Sequence, residues 1–198
     1  MVEFIKNTKR ALPYDREVYI DYLGDEYYKY PKWYGVSVQL PGGFEGRKIS
    51  VPEYLEAYEN WFKNIIIQLD NNSSWIVNHD KKDMAWFHYD EETLPSLRGL
   101  VEQKNIPNKF KGALVFTTEN LLNLSKDLIT YPFALFKQEG LLYNDLDISH
   151  DELPFIVKIS AHCNIDLLST SKELLRKVVN ENYASQFILK VYKGVSFD

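Results

Sequence analysis

The histidines and the runs of carboxylates are the side chains of this sequence best suited to acid–base or metal chemistry. His79, Asp80 and Asp83 lie within five residues of one another and offer the ligand types that a divalent cation uses. The chain contains no His-x-x-x-His and no His-Glu-x-x-His motif, the spacings that place two ligands on one helix face. The sequence therefore predicts no metal site and no cofactor.

The remaining candidates for catalysis are equally weak. Cys163, the single cysteine, directly follows His162, and neighbouring side chains at a strand end point to opposite faces, so they do not form a Cys–His pair. The acidic residues at 90–92, 145–147 and 151–152 lie on polar segments, whereas acid–base catalysis needs two carboxylates in contrasting environments. The glycine-rich segment 42–50 departs from the phosphate-loop pattern and indicates a turn. We therefore expect a protein without catalytic residues.

The charge of the chain is unevenly distributed. The formal net charge is −5, and residues 49–100 carry four Lys and Arg against nine Asp and Glu. The longest runs of Lys and Arg are pairs, such as Lys9-Arg10, Arg47-Lys48 and Lys81-Lys82, which argues against nucleic-acid binding, because phosphate neutralisation needs clustered cations. The acidic middle segment favours a basic protein partner.

Aromatic residues accompany this acidic segment. Residues 75–79 and 84–89 have the composition of two strands around a four-residue loop, which predicts a β-hairpin with aromatic side chains on both faces. An exposed aromatic face rimmed by carboxylates is typical of a recognition surface. The predicted binding residues are Trp75, Trp86, His88, Asp90, Glu91 and Glu92.

These observations predict a non-catalytic protein that binds a basic partner, of the kind formed by an inhibitor or an immunity protein of a toxin. An alternative from another class is a small-molecule-binding protein or a hydrolase-type enzyme. Its pocket would lie between two lobes and use His79, His88 or His150 with a nearby carboxylate.

The sequence also predicts a cytoplasmic location. One cysteine cannot form an intrachain disulfide, and the first ten residues interleave charges without an apolar stretch of signal-peptide length. The longest apolar helical pattern carries Glu53, Glu56, Glu59 and Lys63 at regular intervals, which is incompatible with a membrane span.

That pattern predicts a long amphipathic helix over residues 51–69. Ser50 and Glu53 have the spacing of a capping box, and apolar residues recur every three or four positions after them. In the C-terminal half, residues 167–175 repeat the residue pattern of 114–122. An apolar run follows each copy, 133–137 after the first and 187–191 after the second. This internal repeat predicts a duplicated strand–helix–strand unit.

The predicted fold class is α+β with a mixed or antiparallel sheet, and an α/β fold with parallel crossovers is the alternative. A chain of this length favours one domain over residues 1–198. We expect two lobes within it: an N-terminal lobe, 1–104, with the strands, the long helix and the hairpin, and a C-terminal lobe, 105–198, with the duplicated unit.

Overall fold

The structure, a computed structural model, describes residues 2–16, 33–43, 45–80, 82–87, 93–107, 109–134 and 145–191. Within these ranges, eight strands form one sheet in which every neighbouring pair is antiparallel. In chain order they are β1 (Glu3–Ile5), β2 (Tyr34–Gln39), β3 (Ser74–His79), β4 (Ala113–Thr117), β5 (Leu146–His150), β6 (Phe155–Ser160), β7 (Asn164–Ser169) and β8 (Ile188–Val191). Their order across the sheet is β1-β4-β3-β5-β6-β7-β2-β8. The predicted α+β class with an antiparallel sheet is confirmed, and the parallel α/β alternative is wrong for the described strands.

The described helices are α1 (Thr8–Ala11), α2 (Val51–Gln68), α3 (Pro95–Gln103), α4 (Thr118–Asn123), α5 (Ser125–Ala134) and α6 (Lys172–Glu181). Helix α2 packs against α5, which in turn contacts β5 and β6, while α6 contacts β7 and β2. None of the helices in the described part of the chain combines the length and the apolar character needed to span a membrane.

Helix α2 is the longest of these helices, and its sequence explains where it begins. The Ser50 side chain accepts a hydrogen bond from the backbone N–H of Glu53 at 3.3 Å, which satisfies one donor of the first turn. Its buried face includes Tyr54, Tyr58 and Phe62, and the Tyr58 hydroxyl donates to the Val38 carbonyl at 2.8 Å. This bond fixes the helix over β2.

The two faces of the sheet carry different side chains because strand residues alternate in direction. One face carries a row of apolar residues that lie opposite one another on consecutive strands and belong to the main hydrophobic core: Val77, Ile148, Val157, Leu167 and Val36. The neighbouring positions on the same strands point to the second face. The N-terminal segment contributes Leu12 and Tyr14 to small apolar clusters on that face.

The predicted hairpin over 75–89 does not form. Strand β3 pairs with β4 on one side and with β5 on the other, so no edge of β3 is available to the residues that follow it. Ala85 instead makes an isolated antiparallel bridge with Lys111. Residues 88 and 89 lie outside the described residues.

The duplicated strand–helix–strand unit is not reproduced. Both passages run from a strand into a helix whose N-cap is a hydroxyl residue, Thr117 before α4 and Ser171 before α6. After α6 the chain forms β8, but Phe133 and Ala134, where the first copy was expected to begin its closing strand, belong to α5. Residues 135–137 lie outside the described residues.

The expected boundary between lobes near residue 104 does not divide the sheet. β4, from the C-terminal half, lies between β1 and β3, and β2, from the N-terminal half, lies between β7 and β8. Because strands from both halves share one sheet, each half needs the other to satisfy its backbone hydrogen bonds.

Replacing Ser50 with alanine removes the N-cap of α2 and should lower the free energy of unfolding by about 1 kcal/mol. Ser50→Asp keeps an oxygen acceptor at this position and should retain the stability of the unaltered protein. Urea denaturation followed by circular dichroism measures both variants. An equal loss of unfolding free energy in Ser50→Ala and Ser50→Asp would show that the N-cap hydrogen bond does not stabilise this helix.

Candidate functional site

A row of polar side chains crosses the second face of the sheet. The residues that lie opposite one another on successive strands are Asn78 (β3), Asp147 (β5), Lys158 (β6), Asp166 (β7) and Ser37 (β2). All five are at most 6% exposed. Buried polar side chains are stable only when hydrogen-bonded or paired, so this row must satisfy itself within the protein.

Lys158 lies at the centre of this row and is surrounded by carboxylates. Its Nζ atom is 2.8 Å from Asp80 Oδ2, 3.4 Å from Asp145 Oδ2 and 3.8 Å from Asp147 Oδ1. Burial by itself lowers the pKa of Lys158, but the negative charges of Asp147, Asp80 and Asp145 outweigh it and raise the pKa above the usual lysine range. The amine therefore remains an ammonium ion and does not act as a nucleophile or a base at neutral pH.

Hydrogen bonds and an ion pair hold the N-terminal segment, residues 8–16, near this ion network. The Arg16 guanidinium donates to the His79 carbonyl at 2.6 Å and to Asp83 Oδ1 at 2.8 Å, and Thr8 donates to the same oxygen at 2.7 Å. The Tyr14 hydroxyl is 3.0 Å from Ser149 Oγ, and burial raises the pKa of Tyr14 above its ordinary value. These contacts hold residues 8–16 against the polar face.

The structure does not bring together His79, Asp80 and Asp83, the residues whose side-chain types could bind a metal ion. His79 points to the helix-covered face with Tyr131, whereas Asp80 binds Lys158 and Asp83 binds Arg16. Within the described ranges, no group of three His, Cys, Asp or Glu side chains has a geometry that could hold a metal ion.

The enzyme alternative uses His79, His88 or His150. Of these, the structure describes His79 and His150, and both make hydrogen bonds within the fold. Tyr131 donates its hydroxyl proton to the Trp86 carbonyl, so His79 Nε2, at 2.8 Å from that hydroxyl, is the donor to Tyr131. His150 Nδ1 accepts from the backbone N–H groups of Glu152 and Leu153, and Nε2 donates to the Leu69 carbonyl. The His79 ring therefore orients the Tyr131 side chain, and the His150 ring orients neighbouring backbone. His88 lies outside the described residues.

The thiol of Cys163 is poorly suited to nucleophilic chemistry. Burial and the charge of Glu53 raise the pKa of Cys163, which disfavours the reactive thiolate. Its backbone has a positive φ of 60°, in the tight turn between β6 and β7.

The two tryptophans of the predicted binding surface are buried. Trp75 is 0% exposed and donates its indole N–H to Thr118, and Trp86 is 1% exposed and donates to the Gly112 carbonyl. Rings in the main core cannot contact a partner, so their expected role as exposed anchors is wrong for this structure. Residues 88 and 90–92, the other members of the predicted surface, lie outside the described residues.

An acidic and aromatic surface occurs elsewhere, in a groove between α2 and the end of α6. We call it the acidic groove. Its cavity has a volume of about 400 Å³. The described residues that line it are Glu56, Ala57, Asn60, Trp61, Asn64, Glu181, Asn182, Tyr183, Ala184 and Gln186, and they include two carboxylates but no Lys or Arg.

Hydrogen bonds join the two walls of the acidic groove. The Trp61 indole N–H donates to the Asn182 carbonyl at 2.9 Å, and the Gln186 amide donates to the Ala57 carbonyl at 3.2 Å. Gln68 hydrogen-bonds both Glu181 and Asn182. Below the groove, the Phe187 ring packs against Tyr58 and Trp61, with ring centroids 4.7 and 5.5 Å apart. The groove is therefore a preformed feature of the surface.

Sequence reasoning did not predict this groove because its walls are far apart in the chain. Asn60 and Asn64 have the i, i+4 spacing of one helix face, and such a polar face on an amphipathic helix is usually only solvated. The exposed Tyr183 lies two residues after the end of α6, but nothing in the local sequence indicates that it faces α2. No known protein family, curated protein or solved structure matches this chain.

Lys158→Met should lower the free energy of unfolding at neutral pH by roughly 3–5 kcal/mol, because it leaves buried carboxylates without their cation. Lys177→Met, at an exposed position of α6, should change it by no more than about 0.5 kcal/mol. Chemical denaturation of both variants and of the unaltered protein measures these differences.

The same comparison has a defined pH dependence. Because the folded state raises the pKa of Lys158, its stabilisation is complete below the ordinary lysine pKa of about 10.4 and declines as the pH rises above that value. The stability difference between the unaltered protein and Lys158→Met should therefore shrink above about pH 10.4. A difference that stays constant through strongly alkaline pH would contradict the assignment of Lys158 as the stabilising cation.

Proposed function

We propose that this protein is a non-catalytic binding protein that captures a basic polypeptide, and that the acidic groove receives a cationic side chain of that partner. The observation that carries the proposal is the groove itself. It places Glu56 and Glu181 around a cavity with an exposed aromatic ring and has no cationic residue among its described lining. An inhibitor or immunity protein acting in the cytoplasm is the form of this function that we favour.

Charge complementarity supports a basic partner. Glu56 and Glu181 are both exposed, and Glu181 accepts one hydrogen bond from Gln68, which uses part of the capacity of its carboxylate. Two carboxylates at one cavity favour an incoming Lys or Arg and disfavour an acidic one. The net charge of −5 adds longer-range attraction for a cationic protein.

The aromatic and amide side chains supply the rest of a cation-binding surface. Tyr183 is 60% exposed, and an aromatic face attracts a guanidinium or ammonium group placed over it. Asn60 and Asn64 are exposed on the helical wall and offer amide oxygens as further acceptors. Ile67, 58% exposed on the next turn, offers apolar area for the aliphatic part of a long basic side chain.

The carboxylates of Asp90, Glu91 and Glu92 remain part of the proposal as steering charges. They belong to the acidic middle segment, and acidic residues outside the contact area speed the association of a basic partner. The exposed Tyr183 takes the anchoring role predicted for Trp75 and Trp86, and the buried Trp61 supports the wall of the groove.

The groove can be tested with a short fluorescein-labelled oligoarginine peptide and the double variant Glu56→Gln with Glu181→Gln. The variant should bind the peptide about three- to tenfold more weakly, because each exposed ion pair contributes modestly. Tyr183→Ala should weaken binding by a further few-fold through loss of the cation–π contact. Fluorescence anisotropy at low and moderate salt gives the affinities, and binding should weaken as salt increases.

Glu45→Gln with Glu102→Gln is the matched control, since it removes the same charge at exposed positions outside the groove. It should retain nearly full affinity. Equal losses for the control and the groove variant would show that net charge alone binds the peptide, and the groove would then have no specific role. The triple variant Asp90→Asn, Glu91→Gln and Glu92→Gln should slow association with little change in dissociation.

A further inference from the structure

We infer that a second cavity, lined by lysines, binds a small organic phosphate. We call it the basic pocket. It has a volume of about 450 Å³, and its described lining residues are Lys82, Asp83, Met84, Ala85, Phe87, Lys109 and Lys111. This volume is within the range of cavities that bind small molecules, roughly 300–1,000 Å³.

The three lysines come from two chain segments that the fold holds together. Ala85 bridges to Lys111, and the Trp86 backbone N–H donates to the Phe110 carbonyl at 3.1 Å. Phe110 is buried, whereas Lys109 and Lys111 on either side of it are exposed, and the turn that ends at Phe110 is closed by its backbone N–H, which donates to the Pro107 carbonyl at 2.8 Å. Lys109 and Lys111 therefore line the cavity together with Lys82 from the facing segment.

The backbone next to the pocket packs closely against β1 at Gly112. Gly112 has a φ of +131°, and a Cβ at this position would lie 2.2 Å from the Ile5 carbonyl oxygen. Its own carbonyl accepts the indole N–H of Trp86 at 3.0 Å. These contacts fix the segment that carries Lys109 and Lys111 against β1 and the buried tryptophan.

The one carboxylate of the described lining is already engaged. Asp83 Oδ1 accepts hydrogen bonds from Arg16 Nη1 at 2.8 Å and from Thr8 Oγ1 at 2.7 Å. The Arg16 guanidinium is 7% exposed and forms an ion pair with Asp83, which offsets the negative charge that this side chain would bring. The three lysines consequently give the cavity a positive potential.

The composition of the pocket points to a phosphate ester. Ammonium groups bind phosphate as point charges from several directions, whereas a carboxylate is better matched by the planar fork of Arg, which the described lining lacks. Met84 provides a half-buried apolar side chain, and the buried Ala85 and Phe87 complete the apolar part of the lining. The Arg98 guanidinium lies 4.4 Å from the Phe87 ring centroid. A phosphate ester of an apolar or aromatic group matches both the lysines and the apolar side of the pocket.

The test uses phenyl phosphate as the probe and isothermal titration calorimetry as the readout. Phenyl phosphate should bind the unaltered protein more tightly than inorganic phosphate does, because only the ester contacts the apolar side. Lys109→Gln with Lys111→Gln should weaken phenyl phosphate binding by about tenfold or more, since charge-assisted hydrogen bonds are the strong ones. Lys48→Gln with Lys177→Gln, which removes the same charge at exposed sites outside the pocket, should leave the affinity unchanged.

Several outcomes would overturn the inference. One is the absence of binding by the unaltered protein, and another is equal affinity of the two lysine double variants. Inorganic phosphate binding as tightly as phenyl phosphate would refute the organic ligand. The variant Asp90→Asn, Glu91→Gln and Glu92→Gln should bind as the unaltered protein does. If only this variant bound the probe, the lysines would be neutralised by carboxylates of the same chain rather than by a ligand.

Discussion

The ion network of Lys158 with Asp80, Asp145 and Asp147 is the constraint on which the sheet depends, because it is compatible with only one strand register. A slip of β6 by one residue would move the ammonium to the apolar, helix-covered face. It would also leave the carboxylates buried without their cation, which is strongly destabilising. Replacing such a network by apolar residues can be neutral, so we regard its contribution as specificity of pairing rather than net stability.

The register of β6 determines where the acidic groove lies. Lys158 is opposite Asp166 on β7, and Asp166 is opposite Ser37 on β2, so one row aligns three strands. β7 leads into α6, and β2 leads through a turn into α2, so the pairing of these strands brings the two helices together. The bonds from Trp61 and Gln186 can form only at that separation. A polar row on one face thus positions the acidic groove built on the other.

Patterns within a short stretch of sequence predict individual helices and strands. They do not predict which strands pair when the paired residues are far apart in the chain. Ser50 and Glu53 indicate a helix start within four residues, and α2 begins there. The runs around Trp75 and Trp86 have the composition of a hairpin, but β3 takes its partners from strands that begin at residues 113 and 146. The aromatic content of those runs is typical of a recognition surface, whereas Trp75, Trp86 and Phe87 lie in the core. Glu56 and Glu181 are 125 positions apart, so no sequence window contains the groove.

In the function that we propose, the acidic groove holds a cationic side chain of a partner over Tyr183. The most direct measurement is a set of intermolecular nuclear Overhauser effects between the labelled protein and a bound oligoarginine peptide. We predict contacts from the Tyr183 ring protons to the side-chain methylene protons of an arginine. Contacts confined to other surfaces, with none to Tyr183, would contradict the account.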